Sequence, residues 1–409
     1  MSALRKNIIS RKADLLYTII VCSAGMTVFS IIVNAYSTLL PEIIKTYGIN
    51  MTKASFISVS DNIGQSIMML IVTFFGDRMD KRKVIGVGCF LYGVVYAVIG
   101  FVPPFAMLLV LRFMGGLCGI LLDSLTTSYL SDVFGEKRSS AMVVTHMVYS
   151  LGSILAPILA VALLGADIPW NGVYGLFGMI VTVVGLLFLL LIFVLSPQGI
   201  SVSQDQSVQE NAPRRKIPYG EIFSNKRVIG GLIYSFLYSG IYYFLTLLPS
   251  YLTEEDSTKF PLTFCSLLIT LYSIGSLVSG LFVNSVTRVI KKHNYMLYAG
   301  VISTALGLFM MYLDSRWAWG IGMVIFGMTV GSCYPLKFIL ATDEFPFYSA
   351  AVIGASTMAS TVGLMLMSYI SGRIWDGAGH EAAVIFTLSC AAVSSIILRL
   401  FYTGGKSRA

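Results

Sequence analysis

Long apolar runs alternate with short polar segments along most of the chain. Twelve runs can be counted in the 409 residues, and each is near or above the roughly 20 residues that a helix needs to cross a bilayer. The runs are Leu15–Leu40, Thr52–Gly76, Val84–Val102, Phe105–Leu130, Ser139–Leu164, Trp170–Leu195, Val228–Leu252, Pro261–Thr287, Asn294–Leu313, Trp317–Ala341, Pro346–Ile370 and Glu381–Tyr402. They are too long, and alternate too little, to be strands of a membrane barrel. The pattern predicts an all-α integral membrane protein with twelve transmembrane helices.

Composition excludes several other classes. Hydrophobic residues make up 56% of the chain and charged residues 12%, with a mean hydropathy of +0.80, which leaves too little polar surface for a soluble domain. The net charge of +8 comes without a soluble basic domain, so we expect no nucleic-acid partner. The six cysteines all lie in apolar runs without paired spacing, so neither a disulfide framework, a metal site nor a cofactor is predicted.

Lysine and arginine are concentrated in alternate loops, which assigns a side of the membrane to each. The short segment Gly76–Lys83 carries four basic residues between two apolar runs, and such loops stay in the cytoplasm. By alternation, most other basic residues then fall on the same side. We therefore expect a multi-pass protein of the inner (cytoplasmic) membrane with both termini cytoplasmic. The first apolar run is too long for a signal peptide and is predicted to be an uncleaved helix.

A polar segment divides the twelve runs into two groups of six. Residues 196–226 are rich in Pro, Ser and Gln and end in basic residues, as linkers do. We expect an N-terminal six-helix bundle over 1–195, a cytoplasmic linker over 196–226 and a C-terminal six-helix bundle over 227–409.

The two groups carry matching segments at a separation of about 210 positions. Leu39–Pro41 at the end of helix 1 matches Leu247–Pro249 at the end of helix 7, and Gly116 matches Gly327. Both groups therefore follow one six-helix plan, which predicts pseudo-symmetric bundles.

Three segments carry a family resemblance. Asp77, Arg78, Lys81 and Arg82 match the loop between helices 2 and 3 of the major facilitator superfamily, although Thr73 and Asp80 replace glycines. Arg112–Gly116 resembles the Arg-x-x-x-Gly signature of proton-coupled members. Gly152–Ala160 is similar to a helix 5 signature of drug:proton antiporters, but Ala156 and Ala160 replace two of its glycines.

This resemblance implies alternating access, in which two bundles rock around a central site lined by helices 1, 4, 7 and 10. Residues on those helices become candidates for substrate binding: Asn34, Tyr36, Arg112, Tyr238, Tyr242 and Tyr334. Tyrosines at helical spacing can equally be packing residues.

The same resemblance implies a gating role for the loop between helices 2 and 3. Its carboxylate, Asp77, would engage the N-terminus of helix 11, which the sequence predicts to begin at Pro346. Arg78 and Arg82 would take part in the same gate. Alternatively, the loop serves only as a topology signal.

Five ionisable residues lie well inside apolar runs, away from the run ends, where a charge costs at least a few kcal/mol: Asp61, Arg112, Asp123, His146 and Lys337. Asp61 and Arg112 lie at equal depth, about 12 Å from the outer ends of their helices, so we expect them to form an ion pair. A role for Arg112 in substrate or proton coupling is compatible with that pair.

The other three lie at similar depth toward the cytoplasmic side. We expect Asp123 to pair with Lys337 when the cytoplasmic gate is closed, and Asp123 or His146 to take up a proton, as Asp61 also could. The alternative is that Lys337 extends to the membrane surface and His146 makes a structural hydrogen bond.

The sequence thus predicts a secondary active transporter, symporter or antiporter, for a small organic anion or polar metabolite, coupled to protons. Alternatives are a multidrug/proton antiporter that exports lipophilic compounds and a non-transporting membrane sensor. No enzyme motif or ATP-binding loop is present. The expected partners are a small-molecule substrate, the proton and the lipid bilayer, and the expected state is a monomer.

Overall fold

The computed structural model describes residues 2–75, 80–126, 129, 138–194, 219–253, 260–345 and 349–403. The helices of the first half are α1 Ser2–Tyr47, α2 Met51–Phe75, α3 Lys81–Ile99, α4 Phe105–Ile120, α5 Arg138–Gly165 and α6 Trp170–Val194. A short helix at Tyr219–Ser224 precedes the second half. That half contains α7 Lys226–Thr253, α8 Leu262–Val289, α9 Lys292–Met310, α10 in two segments (Arg316–Val330 and Cys333–Glu344), α11 Ser349–Ala378 and α12 His380–Thr403.

The predicted twelve-helix membrane fold is confirmed. By length and composition, 11 segments of the described chain could cross a membrane. They include every long helix except α9, whose 19 residues are less apolar. Because α9 packs against α10 and α12, it completes the second group of six.

Some predicted boundaries were wrong. The Leu-Leu-Pro segments do not end their helices, since α1 continues through Pro41 and α7 through Pro249. A proline near the last turn removes only one helix hydrogen bond, so one or two further turns can follow it. Most of the predicted linker, and the predicted start of α11 at Pro346, lie outside the described residues.

Two matching helix crossings demonstrate the internal repeat. At Gly116 on α4, an added Cβ would collide with the carbonyl oxygen of Asp61 on α2. At Gly327 on α10, it would collide with the carbonyl oxygen of Tyr272 on α8. Gly116 and Gly327 are separated by the same number of positions in the sequence as Asp61 and Tyr272. Only glycine lets the two backbones approach this closely, so α2 with α4 and α8 with α10 are equivalent pairs.

The helices α4 and α10 are irregular at equivalent places. A π-helical turn over Leu121–Leu125 follows the α-helical part of α4. In α10, a turn at Gly331 and Ser332 separates the two segments. Apolar residues surround both places, so hydropathy gave no sign of either. Such irregular turns are frequent at functional sites, and the candidate residue Asp123 lies inside the first of them.

The two bundles meet along three helix pairs: α2 with α11, α5 with α8, and α1 with α7. Within the described residues, hydrogen bonds between the two bundles occur from the Met51 end of α2 as far as the middle of α5 and α8. There the Ser153 and Ser273 hydroxyl oxygens lie 3.0 Å apart. The bundles are therefore in contact from that end to the centre of the molecule.

Candidate functional site

Arg112 and Asp61 form a buried ion pair within the first bundle. The Arg112 guanidinium lies 3.5 Å from Asp61 Oδ2, and only 6% and 15% of the two side chains are exposed. Gln65, one turn further along α2, donates to the same carboxylate oxygen at 2.9 Å. Removing two charges from water is costly unless each is compensated, and here the two side chains compensate each other.

Aromatic rings enclose the Arg112 side chain. Its Nη1 donates to the Tyr96 hydroxyl at 2.5 Å, and its guanidinium carbon lies 5.0 Å from the centroid of the Tyr36 ring, a cation–π contact. Among the described residues, Arg112 Nε and the hydroxyls of Tyr36, Tyr92 and Tyr174 are buried without a hydrogen-bond partner. Unmade buried hydrogen bonds cost free energy, so the cluster retains hydrogen-bonding capacity that Asp61 does not use.

A second polar cluster lies where the bundles face each other. Asn34 on α1 donates to the Tyr149 hydroxyl of α5 at 3.4 Å and to the Ser30 carbonyl at 2.8 Å. Asp123, in the π-helical turn of α4, lies close enough to Tyr149 and to Tyr334 of the second bundle to act on both hydroxyls electrostatically. The first bundle thus places a carboxylate and a phenol within electrostatic range of Tyr334 on α10.

Lys337 is the charged residue of the second bundle in this region. It is 3% exposed, and its Nζ donates to Ser360 Oγ of α11 at 2.7 Å. The ammonium also lies 4.1 Å from the centroid of the Tyr334 ring and 4.8 Å from that of Phe338. The predicted Asp123–Lys337 ion pair is not formed, and among the described residues no carboxylate lies within ion-pair distance of Lys337.

The polar residues around Asp123 in the first bundle and those around Lys337 in the second are related by the internal repeat. Asp123 and Tyr334 are the same number of positions apart in the sequence as Gly116 and Gly327, and so are Tyr149 and Ser360. The polar residues therefore surround the pseudo-symmetry axis of the fold. Transporters with related halves place their substrate site at this interface.

The helix 7 tyrosines occupy different environments. Tyr238 is fully buried in the core of the second bundle, and its hydroxyl donates to the Val330 carbonyl at 2.7 Å. Tyr242 is only partly buried, and its ring contacts that of Tyr334 at 6.0 Å. Of these two candidates, Tyr242 lies nearer the interface.

Part of the predicted gate cannot be placed. Asp77 and Arg78 lie outside the described residues, as does the side chain of His146 on α5. Arg82 is in the first turn of α3, half-buried. Asp80, which replaces a family glycine, is the N-cap of α3 and accepts a hydrogen bond from the Lys83 amide, as short polar side chains do at helix starts.

A carboxylate holds the opposite end of the bundle interface. Asp376, near the end of α11, accepts hydrogen bonds from the backbone amides of Met51 at 3.1 Å and Thr52 at 2.8 Å. These amides begin α2, where the helix dipole favours an anion. The Thr52 hydroxyl donates to the Gly372 carbonyl at 3.0 Å. This contact, the Asp376 latch, joins the two bundles.

Sequence reasoning missed three of these residues: Tyr149, Ser360 and Asp376. The repeat could have indicated the first two, because they share the separation of the matched glycines. Asp376 lies at a helix end, where a charged residue is ordinary, and only its partners in the other bundle distinguish it.

A helical membrane protein with two related six-helix bundles and buried charges at their interface has the architecture of a secondary transporter. A sequence model of the Major Facilitator Superfamily matches residues 22–368. The chain belongs to this family of membrane transporters.

Similar proteins fit this assignment. A TsgA homolog from Buchnera aphidicola subsp. Schizaphis graminum is 21% identical over 352 residues, covering 85% of this chain and 86% of that protein. Among solved structures, a D-xylose-proton symporter superposes with a TM-score of 0.73 at 13% identity over 94% of this chain and 98% of that one. An inward-facing bacterial homolog of the human lysosomal transporter Spinster gives 0.71 at 13%, covering 96% and 98%. The nucleoside transporter NupG gives 0.67 at 13%, covering 96% and 100%. At these identities the structures show a shared fold.

Proposed function

We propose that the protein moves a small organic anion or polar metabolite across the cytoplasmic membrane by proton-coupled alternating access. The substrate site in this proposal is the polar cluster between the bundles, formed by Asn34, Asp123 and Tyr149 on one side and Tyr334 and Lys337 on the other.

The buried ammonium of Lys337 carries the proposal. A buried charge normally has a partner of opposite charge, as Arg112 has in Asp61. Lys337 instead has a serine hydroxyl and two aromatic faces. An anionic substrate would supply the missing charge, whereas the charge of Arg112 is already compensated by Asp61. A neutral polar metabolite is the second candidate, because the cluster is rich in hydroxyls and transporters of xylose and of nucleosides share the fold.

Proton coupling is assigned to the carboxylates. Asp123 faces the site and lies in an irregular turn, so a change in its charge would act directly on Tyr149 and Tyr334. A change in the charge of Asp61 would act on the site through its partner Arg112. His146, on α5, is the third candidate.

The direction of access follows from the charge bias. If the basic loops are cytoplasmic, the Asp376 latch lies at the outer end of the molecule. The contacts from Met51 to Ser153 would then close the site to the outside. The described conformation would be one in which the substrate exchanges with the cytoplasm.

Thermal unfolding of the purified protein in mild detergent tests the substrate class. One panel contains small organic anions, sugars and nucleosides, and the other contains lipophilic cations. A ligand at 100 times its dissociation constant should stabilise the folded state by about 2.7 kcal/mol. We expect an anion to stabilise the protein and the effect to disappear in Lys337→Met, but not in Lys53→Gln, which changes an exposed lysine.

Other outcomes separate the alternatives. Stabilisation by a neutral sugar or nucleoside that survives Lys337→Met would favour a neutral metabolite. Stabilisation by lipophilic cations alone, lost in Asp123→Asn, would replace the proposal with multidrug export.

A further inference from the structure

A basic cleft lies at the end of the second bundle opposite the Asp376 latch. It has a volume of about 490 Å³, and its lining comprises Val289, Ile290, Lys291, His293, Asn294, Tyr298 and Arg399. The residues come from the end of α8, the start of α9 and the last turns of α12. The cleft is remote from the bundle interface and is not part of the proposed transport site.

Within the described part of the chain, no carboxylate neutralises the charge of this cleft. Two neighbouring cations are paired, Arg227 with Glu344 at 2.8 Å and Lys292 with Asp343 at 2.6 Å. Among the described residues, no carboxylate pairs with Lys291 or Arg399. The cleft therefore carries two cations without counter-charges, beside carboxylates that are already engaged.

His293 reports the resulting positive potential. Its ring stacks on Tyr402 at 5.3 Å between centroids. At the start of α9, outside the membrane-spanning part, its pKa is lowered by burial and then by the positive charges of Arg399, Lys291 and Arg227. A bound anion would relieve this repulsion.

Backbone and amide groups add further binding capacity. The first turn of α9 begins at Lys292 without a side-chain cap, so the amides of Lys292 and His293 are available to an anion. Asn294 Oδ1 is buried and has no hydrogen-bond partner among the described residues. The cleft thus combines anion-binding groups with one acceptor that requires a hydroxyl or ammonium donor.

Apolar surface continues from the cleft along the outside of the bundle. Val289 is 87% exposed and Tyr298, further along α9, is 53% exposed. In a membrane these side chains face lipid, and tyrosine favours the level of the head groups. A ligand with both a phosphate and an acyl chain fits this arrangement better than a soluble anion does.

We propose that this cleft binds the head group of an anionic phospholipid with a hydroxyl donor, of which phosphatidylglycerol is the simplest. Arg399, Lys291 and the first amides of α9 hold the phosphodiester, since Arg offers a two-pronged donor to phosphate oxygens. The head-group hydroxyl lies beside Asn294, which lines the cleft. The acyl chains lie along Val289 and Tyr298. Basic pockets on the cytoplasmic side of helix bundles bind anionic lipids in this way.

Native mass spectrometry of the full chain in mild detergent tests this binding. Phosphatidylglycerol, phosphatidylcholine, glycerol 3-phosphate and inorganic phosphate are each added to the protein, to Lys291→Gln/Arg399→Gln and to Arg288→Gln. Arg288 is a cation at the same end of the bundle that does not line the cleft, so it is the matched control. Lys291→Gln alone, at an exposed position, provides a second test should the double variant fail to fold.

We expect phosphatidylglycerol to bind in preference to phosphatidylcholine. The double variant should weaken this binding by at least about tenfold, Lys291→Gln should weaken it less, and Arg288→Gln should leave it unchanged. Equal binding of both lipids, or unchanged binding in the Lys291 variants, would overturn the site. Glycerol 3-phosphate or phosphate binding as tightly as the lipid would show that the cleft takes soluble phosphates and would overturn the lipid assignment.

Discussion

Asp123 and Tyr334 occupy equivalent positions in the two repeats and lie within electrostatic range of each other, one in each bundle. The repeat has thus placed different chemistry at two related sites. One carries a negative charge, and the other carries an aromatic ring that contacts the Lys337 ammonium. A substrate bound between them would meet opposite charges from the two bundles.

Asp123→Asn should uncouple ligand binding from protons. If Asp123 exchanges the proton, ligand stabilisation in the wild-type protein will vary with pH, and the variant will lose this variation because its amide cannot titrate. The measurement is the ligand-induced shift in melting temperature at each pH. Asp314→Asn, at a carboxylate in the loop before α10, is the control. A pH profile unchanged by Asp123→Asn would move the coupling role to Asp61 or His146.

Replacing one partner of the Asp61–Arg112 pair should destabilise the protein more than replacing both. Arg112→Gln leaves a buried carboxylate without a counter-charge, which typically costs about 3–5 kcal/mol. The double variant Asp61→Asn/Arg112→Gln should recover much of that loss, because amides can still hydrogen-bond at this site. Thermal unfolding of the two single variants and the double variant forms a double-mutant cycle. Simply additive losses would mean that the two side chains do not interact.

The glycines at the helix crossings should not tolerate a methyl group. Gly116→Ala and Gly327→Ala each place Cβ against a backbone carbonyl, and overpacking of this kind costs about 1–3 kcal/mol. Gly280→Ala on α8 meets no atom within 4 Å and should be neutral or stabilising. Melting temperatures of the three variants test this difference. Equal effects at all three positions would contradict the close crossings.

Loss of the Asp376 latch should favour opening of that end. Asp376→Ala removes the hydrogen bonds to the Met51 and Thr52 amides, worth about 1 kcal/mol, and so should shift the equilibrium between conformations by about fivefold. Spin labels at Lys53→Cys and Arg373→Cys, two exposed positions on α2 and α11, report the separation by pulsed electron resonance. We expect a larger population at long distances.

The control for this experiment is Glu381→Gln, which removes an exposed carboxylate at the same end of the bundle. Its distance distribution should match that of the unmodified background. If Asp376→Ala also matches the background, the latch does not contribute to closure.

The sequence predicted the membrane fold and the buried ion pair because both depend on one-dimensional properties. Run length and charge bias define the helices, and counting from helix ends brought Asp61 and Arg112 to the same depth. Run length and counting from helix ends do not give the orientation of a helix about its own axis. Tyr238 and Tyr242 were therefore equal candidates, although the structure buries the Tyr238 hydroxyl against Val330.

The Asp123–Lys337 pair, which is expected when the cytoplasmic gate is closed, is not formed in the described conformation. Equal depth allowed the contact, but the rings of Tyr334 and Phe338 and the Ser360 hydroxyl occupy the surroundings of the ammonium. The break in α10 was also invisible, because residues on both sides of Gly331 and Ser332 continue an apolar run. Packing between helices decided both outcomes.

The glycine crossings have a mechanical consequence. Because α2 and α4 touch backbone to backbone at Gly116, they cannot slide past each other without lifting apart, and they transmit displacement as one lever. The start of α2 is held by Asp376, and the far part of α4 carries Asp123. We therefore expect that releasing the Asp376 end of this lever displaces the Asp123 carboxylate, which would couple a surface contact to the charge arrangement at the centre of the molecule.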